Sequence, residues 1–336
     1  MESLRDQVVV ITGASSGFGK GAALRFAEEG AHLVLAARRK GLLKELAKSC
    51  EKLGVKTVVV ETDVSNTEDI EEVAEKAVEE FGRIDVWVNN AGVSAFGRFD
   101  EIPLKEHEQV IETNLLGCLY GSYQALRNFR TQGEGVLINL ASYLGKGSAP
   151  YQSSYVASKH GIRGLDMAIR QELQANNESE KIHVCTLMPT SMDTPFFEHA
   201  ANHLGHPVLP IPPVYDPQEV IEAIVELARN PQDEVIVGRR GKVASAAEKI
   251  MPGALERQMA KKVHGKLMRQ SETEGPSPGS LFSPMRSGRD VRGGWLSEQS
   301  NGGKVAKIAL GAVLPIAGLL IAREVRQRRA APTEAA

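Results

Sequence analysis

Residues 8–29 read VVVITGASSGFGKGAALRFAEE, and this stretch decides the fold. The run at 8–11 (VVVI) is β-branched and bounded by polar residues, the pattern of a strand buried on both faces. TGASSGFG follows at 12–19, and 20–29 is patterned as a helix. Glycines 13, 17 and 19 let the backbone of such a strand-to-helix turn approach a pyrophosphate, whose charge the helix N-terminus stabilises. Gly13, Ser15, Ser16, Gly17, Phe18 and Gly19 are therefore candidate cofactor-binding residues.

Working outward, the same alternation repeats. Strands are expected at 32–37 (HLVLAA), 56–61 (KTVVVE), 85–89 (DVWVN), 135–140 (GVLINL), 183–188 (HVCTLM) and 234–237 (EVIV), with helical periodicity at 42–53, 152–175 and 217–229. Ser65-Asn-Thr-Glu68 has the form of a capping box opening a helix to about residue 81. Residues 104–129 are long enough for two helices or one bent one. Strand and helix in alternation predict an α/β fold, a doubly wound (Rossmann) parallel seven-stranded sheet with helices on both faces.

The second strand ends in Arg38-Arg39, with no acid at 36–38. An acid there would bond the ribose hydroxyls of NAD, whereas a guanidinium suits the extra phosphate of NADP. NADP(H) is therefore favoured over NAD(H), with Arg38 as its contact. Asn90-Ala91-Gly92, small residues at the carboxyl end of the fourth strand, suit the ligand crevice of such a sheet.

Residues 142–159 (SYLGKGSAPYQSSYVASK) carry the chemistry. Helical spacing puts Tyr155 and Lys159 one turn apart on one face. An ammonium there would pull the phenol below its usual pKa of about 10 and let it exchange a proton near neutral pH, as carbonyl reduction requires.

These motifs together resemble the short-chain dehydrogenase/reductase family over roughly residues 5–240. TGASSGFG is similar to that family's TGxxxGxG motif, and Asn89-Asn90-Ala91-Gly92 to its NNAG. The resemblance implies a catalytic tetrad of Asn114, Ser142, Tyr155 and Lys159. Tyr155 would be the general acid or base, and Lys159 would lower its pKa and hold the nicotinamide ribose. Ser142 would orient the substrate oxygen, and Asn114 would position a water in a proton relay. It also implies Asp63, with Val64 beside it, at the adenine, Pro189 and Thr194 on the nicotinamide side, and dimers or tetramers built through the helices holding Asn114 and Tyr155. One departure is Pro189-Thr190 where the family usually has Pro-Gly. The expected function is an NADP(H)-dependent oxidoreductase interconverting a carbonyl and an alcohol on a small-molecule substrate. The alternative is a non-catalytic NADPH-binding regulator or scaffold.

At 336 residues, with 42% hydrophobic and 24% charged residues, the chain is long and apolar enough for a sizeable core. The net charge of -2 conceals an acidic body and a basic tail, since residues 1–240 carry 24 Lys+Arg against 34 Asp+Glu and the remainder 16 against 8. Three widely spaced cysteines predict neither a zinc site nor a disulfide framework, and with no signal peptide the expected compartment is the cytoplasm. Residues 189–217, rich in Pro and His, read as a lid with one short helix near 195–204. His199, His203 and His206 lie in it, but without a nearby Cys or paired carboxylate no metal is expected.

The expected organisation is a catalytic domain over 1–240, a helical extension over 241–270, a flexible linker over 271–303 and an apolar helix with basic flanks over 304–336. The charge-free run at 308–322 is short for a bilayer core. Its flanking lysines and arginines suit membrane contact through 304–329, with burial against protein as the other reading. A tail with so few aromatics does not suit nucleic acid.

Overall fold

The computed structural model describes residues 3–239, 241, 252–267 and 270–296. Seven parallel strands form the central sheet: β1 (Val8–Thr12), β2 (His32–Ala37), β3 (Thr57–Glu61), β4 (Val86–Asn89), β6 (Gly135–Leu140), β7 (Ile182–Pro189) and β9 (Glu234–Val237). Their order is β3-β2-β1-β4-β6-β7-β9. The short strands β5 (Ala95–Phe96) and β8 (Ala201–Asn202) pair with each other as a separate two-stranded sheet. The doubly wound fold expected from the sequence is thus the fold observed.

Side chains alternate across each strand, so β1 alone feeds two cores. Val9 and Ile11 pack with helices α1 (Gly17–Glu28), α2 (Lys40–Glu51) and α8 (Gln218–Arg229). Val8 and Val10 pack on the other face with α3 (Thr67–Phe81), α5 (Gly117–Gln132) and α6 (Ser153–Ala175). Winding reverses between β1 and β4, which places the Gly-rich turn beside Asn90 at the switch point where open α/β sheets bind ligands.

The stretch 104–129 is one bent helical rod. Helix α4 (Leu104–Ile111) runs through a π-helical turn, Glu112–Leu116, into α5. Asn114 sits in that wide turn. At the start of α3 the cap is Asn66, whose side chain accepts from the Glu68 and Asp69 N–H groups. The Ser65 hydroxyl, expected to cap, donates instead to Asp63 at 2.7 Å.

In the lid, α7 (Phe196–His199) leads into β8. Helix α9 (Pro252–Leu267) lies against this side: Lys262 and Lys266 donate to the Pro212 and Pro210 carbonyls, and His264 meets the Tyr151 hydroxyl at 2.7 Å. The described residues up to Trp295 belong to one compact unit.

The segment expected to be a flexible linker departs from that reading where it is described. Residues 277–295 fold back along the body, tied by backbone exchange between Ser277 and Asn202 and by buried Leu281. Composition rich in Ser, Gly and Arg concealed this, because the ties are largely backbone bonds that no side-chain pattern records. The apolar run 308–322 and its basic flanks lie outside the described residues. Among the described residues, no helix is long and apolar enough to cross a membrane.

Candidate active site

Thr12, at the carboxyl end of β1, knits the switch point together. Its hydroxyl accepts from the N–H groups of Asn90 and Ala91, and Asn90 Nδ2 donates to the carbonyls of Thr12 and Gly13. The turn is correspondingly tight. Gly13 has φ +66°, and a Cβ there would stand 2.8 Å from Ala91 Cα; one on Gly19 would stand 2.5 Å from the Gly13 carbonyl. Helix α1 opens with no acidic residue in its first turn and no side-chain cap from Ser16, and its first N–H, that of Gly17, donates to the Asp290 carbonyl at 3.0 Å.

Asn114 is 1% exposed and bonded in both directions to Val93: the Val93 N–H reaches Oδ1 at 2.8 Å, and Nδ2 donates to the Val93 carbonyl at 2.9 Å. Nδ2 also donates to Ser158 Oγ, so the π turn is locked to α6 and to the residue after Gly92. Ser142 follows β6, and its Oγ accepts from the Leu144 N–H at 3.1 Å. Tyr155 is half-buried, with Phe196 of the lid 5.5 Å from its ring.

Lys159, buried in α6, donates to the Leu140 carbonyl at 2.7 Å, and its Nζ lies 5.6 Å from the Tyr155 ring centroid. A Cβ on exposed Gly92 would come 3.7 Å from that Nζ, so the absence of a side chain there leaves the ammonium approachable. Burial pushes Lys159 down to about 8. Burial pushes Tyr155 up to about 12, and the Ser142 side chain pulls the other way. The depression of the phenol by Lys159 that the spacing suggested is therefore not seen, because the ammonium is turned to the strand carbonyl.

At the other end of the cleft, Asp63 accepts from Ser65 and lies 3.9 Å from Arg38. Val64 packs where a Cβ on Gly117 would be. Arg38 is turned to the carbonyls of Ser280 and Leu281. Arg39, rather than Arg38, meets the Gly-rich turn, donating to Ser15 Oγ at 3.0 Å and Ser16 Oγ at 2.6 Å. The candidate residues drawn from the sequence omitted Arg39; the doubled arginine was its signal.

Thr194 follows β7, with its Cβ 3.9 Å from where a Cβ on Gly17 would be, and the Pro189 carbonyl lies 3.5 Å from Ser142 Oγ. Thr190, the departure from Pro-Gly, donates to Val237 and packs against the turn at Gly238. The lid histidines have other partners: His199 the Ser287 carbonyl, His203 the Glu106 carboxylate at 2.8 Å, and His206 the Glu272 carbonyl. Cys50, Cys118 and Cys185 are free and buried, their thiols pushed up by burial.

The short chain dehydrogenase family model matches residues 7–204. An uncharacterised oxidoreductase of Bacillus subtilis is 33% identical over 325 residues, covering 95% of this chain and 90% of that protein. The 3-oxoacyl-[acyl-carrier-protein] reductase FabG of Thermotoga maritima is 33% identical, covering 67% and 91%. Among solved structures, the alcohol dehydrogenase of the archaeon Thermococcus sibiricus, complexed with 5-hydroxy-NADP, matches at 30% identity with a TM-score of 0.60, covering 69% and 95%. The chain belongs to the short-chain dehydrogenase/reductase family, whose members are oxidoreductases acting on CH–OH groups with NAD(P).

Proposed function

We propose that this protein is an NADP(H)-dependent oxidoreductase interconverting a carbonyl and an alcohol, with Tyr155 as general acid and base. The observation that carries this reading is buried Lys159, whose Nζ donates to the Leu140 carbonyl at 2.7 Å and lies 5.6 Å from the Tyr155 ring centroid, which ties the helix holding Tyr155 to the strand that leads into Ser142. The residues fit a dinucleotide: the glycine cradle at 13–19 would hold its pyrophosphate, Asp63, Val64 and Asn90 its adenosine, and Ala91, Gly92, Lys159, Pro189 and Thr194 its nicotinamide half. When bound, the cofactor supplies or accepts the hydride. Arg39 and Arg38 supply fixed positive charge where NADP carries its extra phosphate, which supports NADP(H) over NAD(H).

The chain's own part is orientation and proton handling. In this reading the Ser142 and Tyr155 hydroxyls would both donate to the substrate oxygen. A phenol held at about 12 is protonated at neutral pH, so Tyr155 is ready to donate in the reductive direction. In the oxidative direction it has to lose that proton first. Asn114 holds the Val93 backbone and Ser158, fixing the wall beside Gly92 rather than meeting the substrate itself.

The lid presents Phe196 to Tyr155 and Phe197 to Phe96, which suits an apolar carbonyl substrate. Leu119 and Tyr123 of α5 and Met167 of α6 are exposed, consistent with self-association through these helices. By composition, residues 304–329 suit an anionic membrane surface; sedimentation with anionic vesicles before and after removing them tests that.

The function is tested by following NADPH and NADH oxidation against a carbonyl panel running from small quinones and aldehydes to steroids and acyl thioesters. Turnover with NADPH well above that with NADH is expected. Turnover with NADH at equal or higher efficiency would overturn the cofactor assignment.

A further inference from the structure

The family match ends at residue 204, and residues 277–295, a strap beyond it, lie on the donors that the dinucleotide reading gives to a cofactor. The Gly17 N–H donates to the Asp290 carbonyl at 3.0 Å, and Lys20 Nζ to the Arg289 carbonyl at 2.9 Å. Arg39 turns Nη1 to the carbonyls of Met285, Ser287 and Gly288 at 3.4, 3.1 and 3.3 Å. Arg38 donates to the carbonyls of Ser280 and Leu281 at 2.5 and 3.0 Å. Every strap group that Arg38, Arg39 and the Gly17 N–H meet is thus a neutral backbone oxygen. A phosphate pairs with a guanidinium as an ion and bidentately, which a carbonyl does not.

The strap reaches the catalytic end as well. Leu281 is fully buried in one apolar cluster with Val93, Ala95 and Ala201, and Tyr155 packs against that cluster. Ser280 and Leu281 are therefore held both from the end of β2 and from the wall that carries Tyr155. An extended dinucleotide has to run between those two ends. At its C-terminal end the strap is held by Asp193, which accepts from the Gly293 and Trp295 N–H groups, and by the Trp295 indole, which donates to the Thr194 carbonyl.

We propose that residues 280–290 are an autoinhibitory strap, which fills the dinucleotide cleft in the free protein and leaves it when a dinucleotide binds. This rests on the dinucleotide site of the reading above, and not on its preference for NADP(H). Closed and open forms are then in equilibrium, and the apparent dissociation constant is the intrinsic one divided by the open fraction. Phosphate oxygens replacing carbonyls on Arg38, Arg39 and the Gly17 N–H favour the exchange. Exposure of Leu281 opposes it. Weakening the Leu281 anchor therefore opens the cleft without touching a donor.

Calorimetric titration of the full chain with NADPH and with NADH, beside hydrogen exchange, tests this without any turnover. Leu281→Ala removes the apolar contact that holds the strap shut, and should tighten both nucleotides about fivefold or more. Phe282→Ala, at its exposed neighbour, should leave both within about twofold. In the wild type the Ser280 and Leu281 N–H groups, bonded to the His199 and Pro278 carbonyls, should exchange faster once NADPH is bound.

Slower exchange at 280–290 on binding, or weaker binding in a folded Leu281→Ala, makes the strap a wall of the site; it overturns the proposal and leaves the dinucleotide reading standing. Unchanged exchange, with Leu281→Ala within about twofold of wild type, shows that strap and cofactor do not compete and overturns it likewise. Binding of neither nucleotide by wild type or variant overturns the dinucleotide reading and the proposal together. Should Leu281→Ala fail to fold, the wild-type exchange decides alone: faster supports the strap as an inhibitor, and slower or unchanged overturns it.

Discussion

Lys159 Nζ donates to the carbonyl of Leu140 at 2.7 Å, pinning the helix that carries Tyr155 to the strand that leads into Ser142. The three side chains expected to do the chemistry are thereby set relative to one another by a buried bond to backbone. That bond also fixes the ammonium in a place where burial lowers its pKa to about 8.

A lysine at about 8 loses its charge as pH rises through that value. Reductive kcat/KM should therefore fall on the alkaline side with a midpoint near pH 8, long before the phenol ionises at about 12. Lys159→Arg, which stays charged, should retain less activity but lose that midpoint. A wild-type profile flat to pH 10 would contradict the assignment.

Beneath the site, Asp166 accepts from Asn139 Nδ2 at 2.6 Å and from Thr186 Oγ1 at 2.7 Å, and burial pushes it up to about 7 from 3.8. The folded state holds this proton more tightly than the unfolded state. Its contribution to stability is complete below about pH 4 and is lost as pH rises through 7. The loss is at most roughly 4 kcal/mol by linkage. Denaturant unfolding should show the wild type weakening from pH 5 to pH 8 and Asp166→Asn losing most of that slope. Parallel slopes would show that the carboxyl is already ionised at pH 5.

At the start of α3, Asn66 satisfies two N–H groups, while Ser65 holds Asp63. Asn66→Ala should cost about 1 kcal/mol of stability, the usual worth of an N-cap. Ser65→Ala should cost less stability and instead loosen Asp63, weakening dinucleotide binding. Equal stability losses would mean the two residues share the cap.

The sheet was legible because strand and helix periods differ, and seven apolar runs fell at the right spacing. Tyr155 and Lys159 were singled out by helical spacing, and Asn114 and Ser142 by the family resemblance; the structure brings the elements that carry them together, while their catalytic roles belong to the proposal. Three features were not. The capping residue was shifted by one, since Ser65 and Asn66 are both competent caps and only the path of the chain chooses between them. Lys159 was expected to face the phenol, but one helical turn of spacing does not specify rotamer, and the Leu140 carbonyl is the partner it has. The path of residues 277–295 was missed because Ser-, Gly- and Arg-rich composition says nothing of the backbone carbonyls that Arg38 and Arg39 collect from it.

The central claim is that Tyr155 moves the proton. Tyr155→Phe keeps the ring that packs against Phe196 and removes only the hydroxyl, so it is the direct test. With the best substrate from the carbonyl panel, kcat should fall by about 10²–10⁴-fold, while the NADPH dissociation constant stays within about threefold of wild type. Turnover retained within about threefold in the Phe variant, with cofactor binding intact, would contradict the account and require another proton donor.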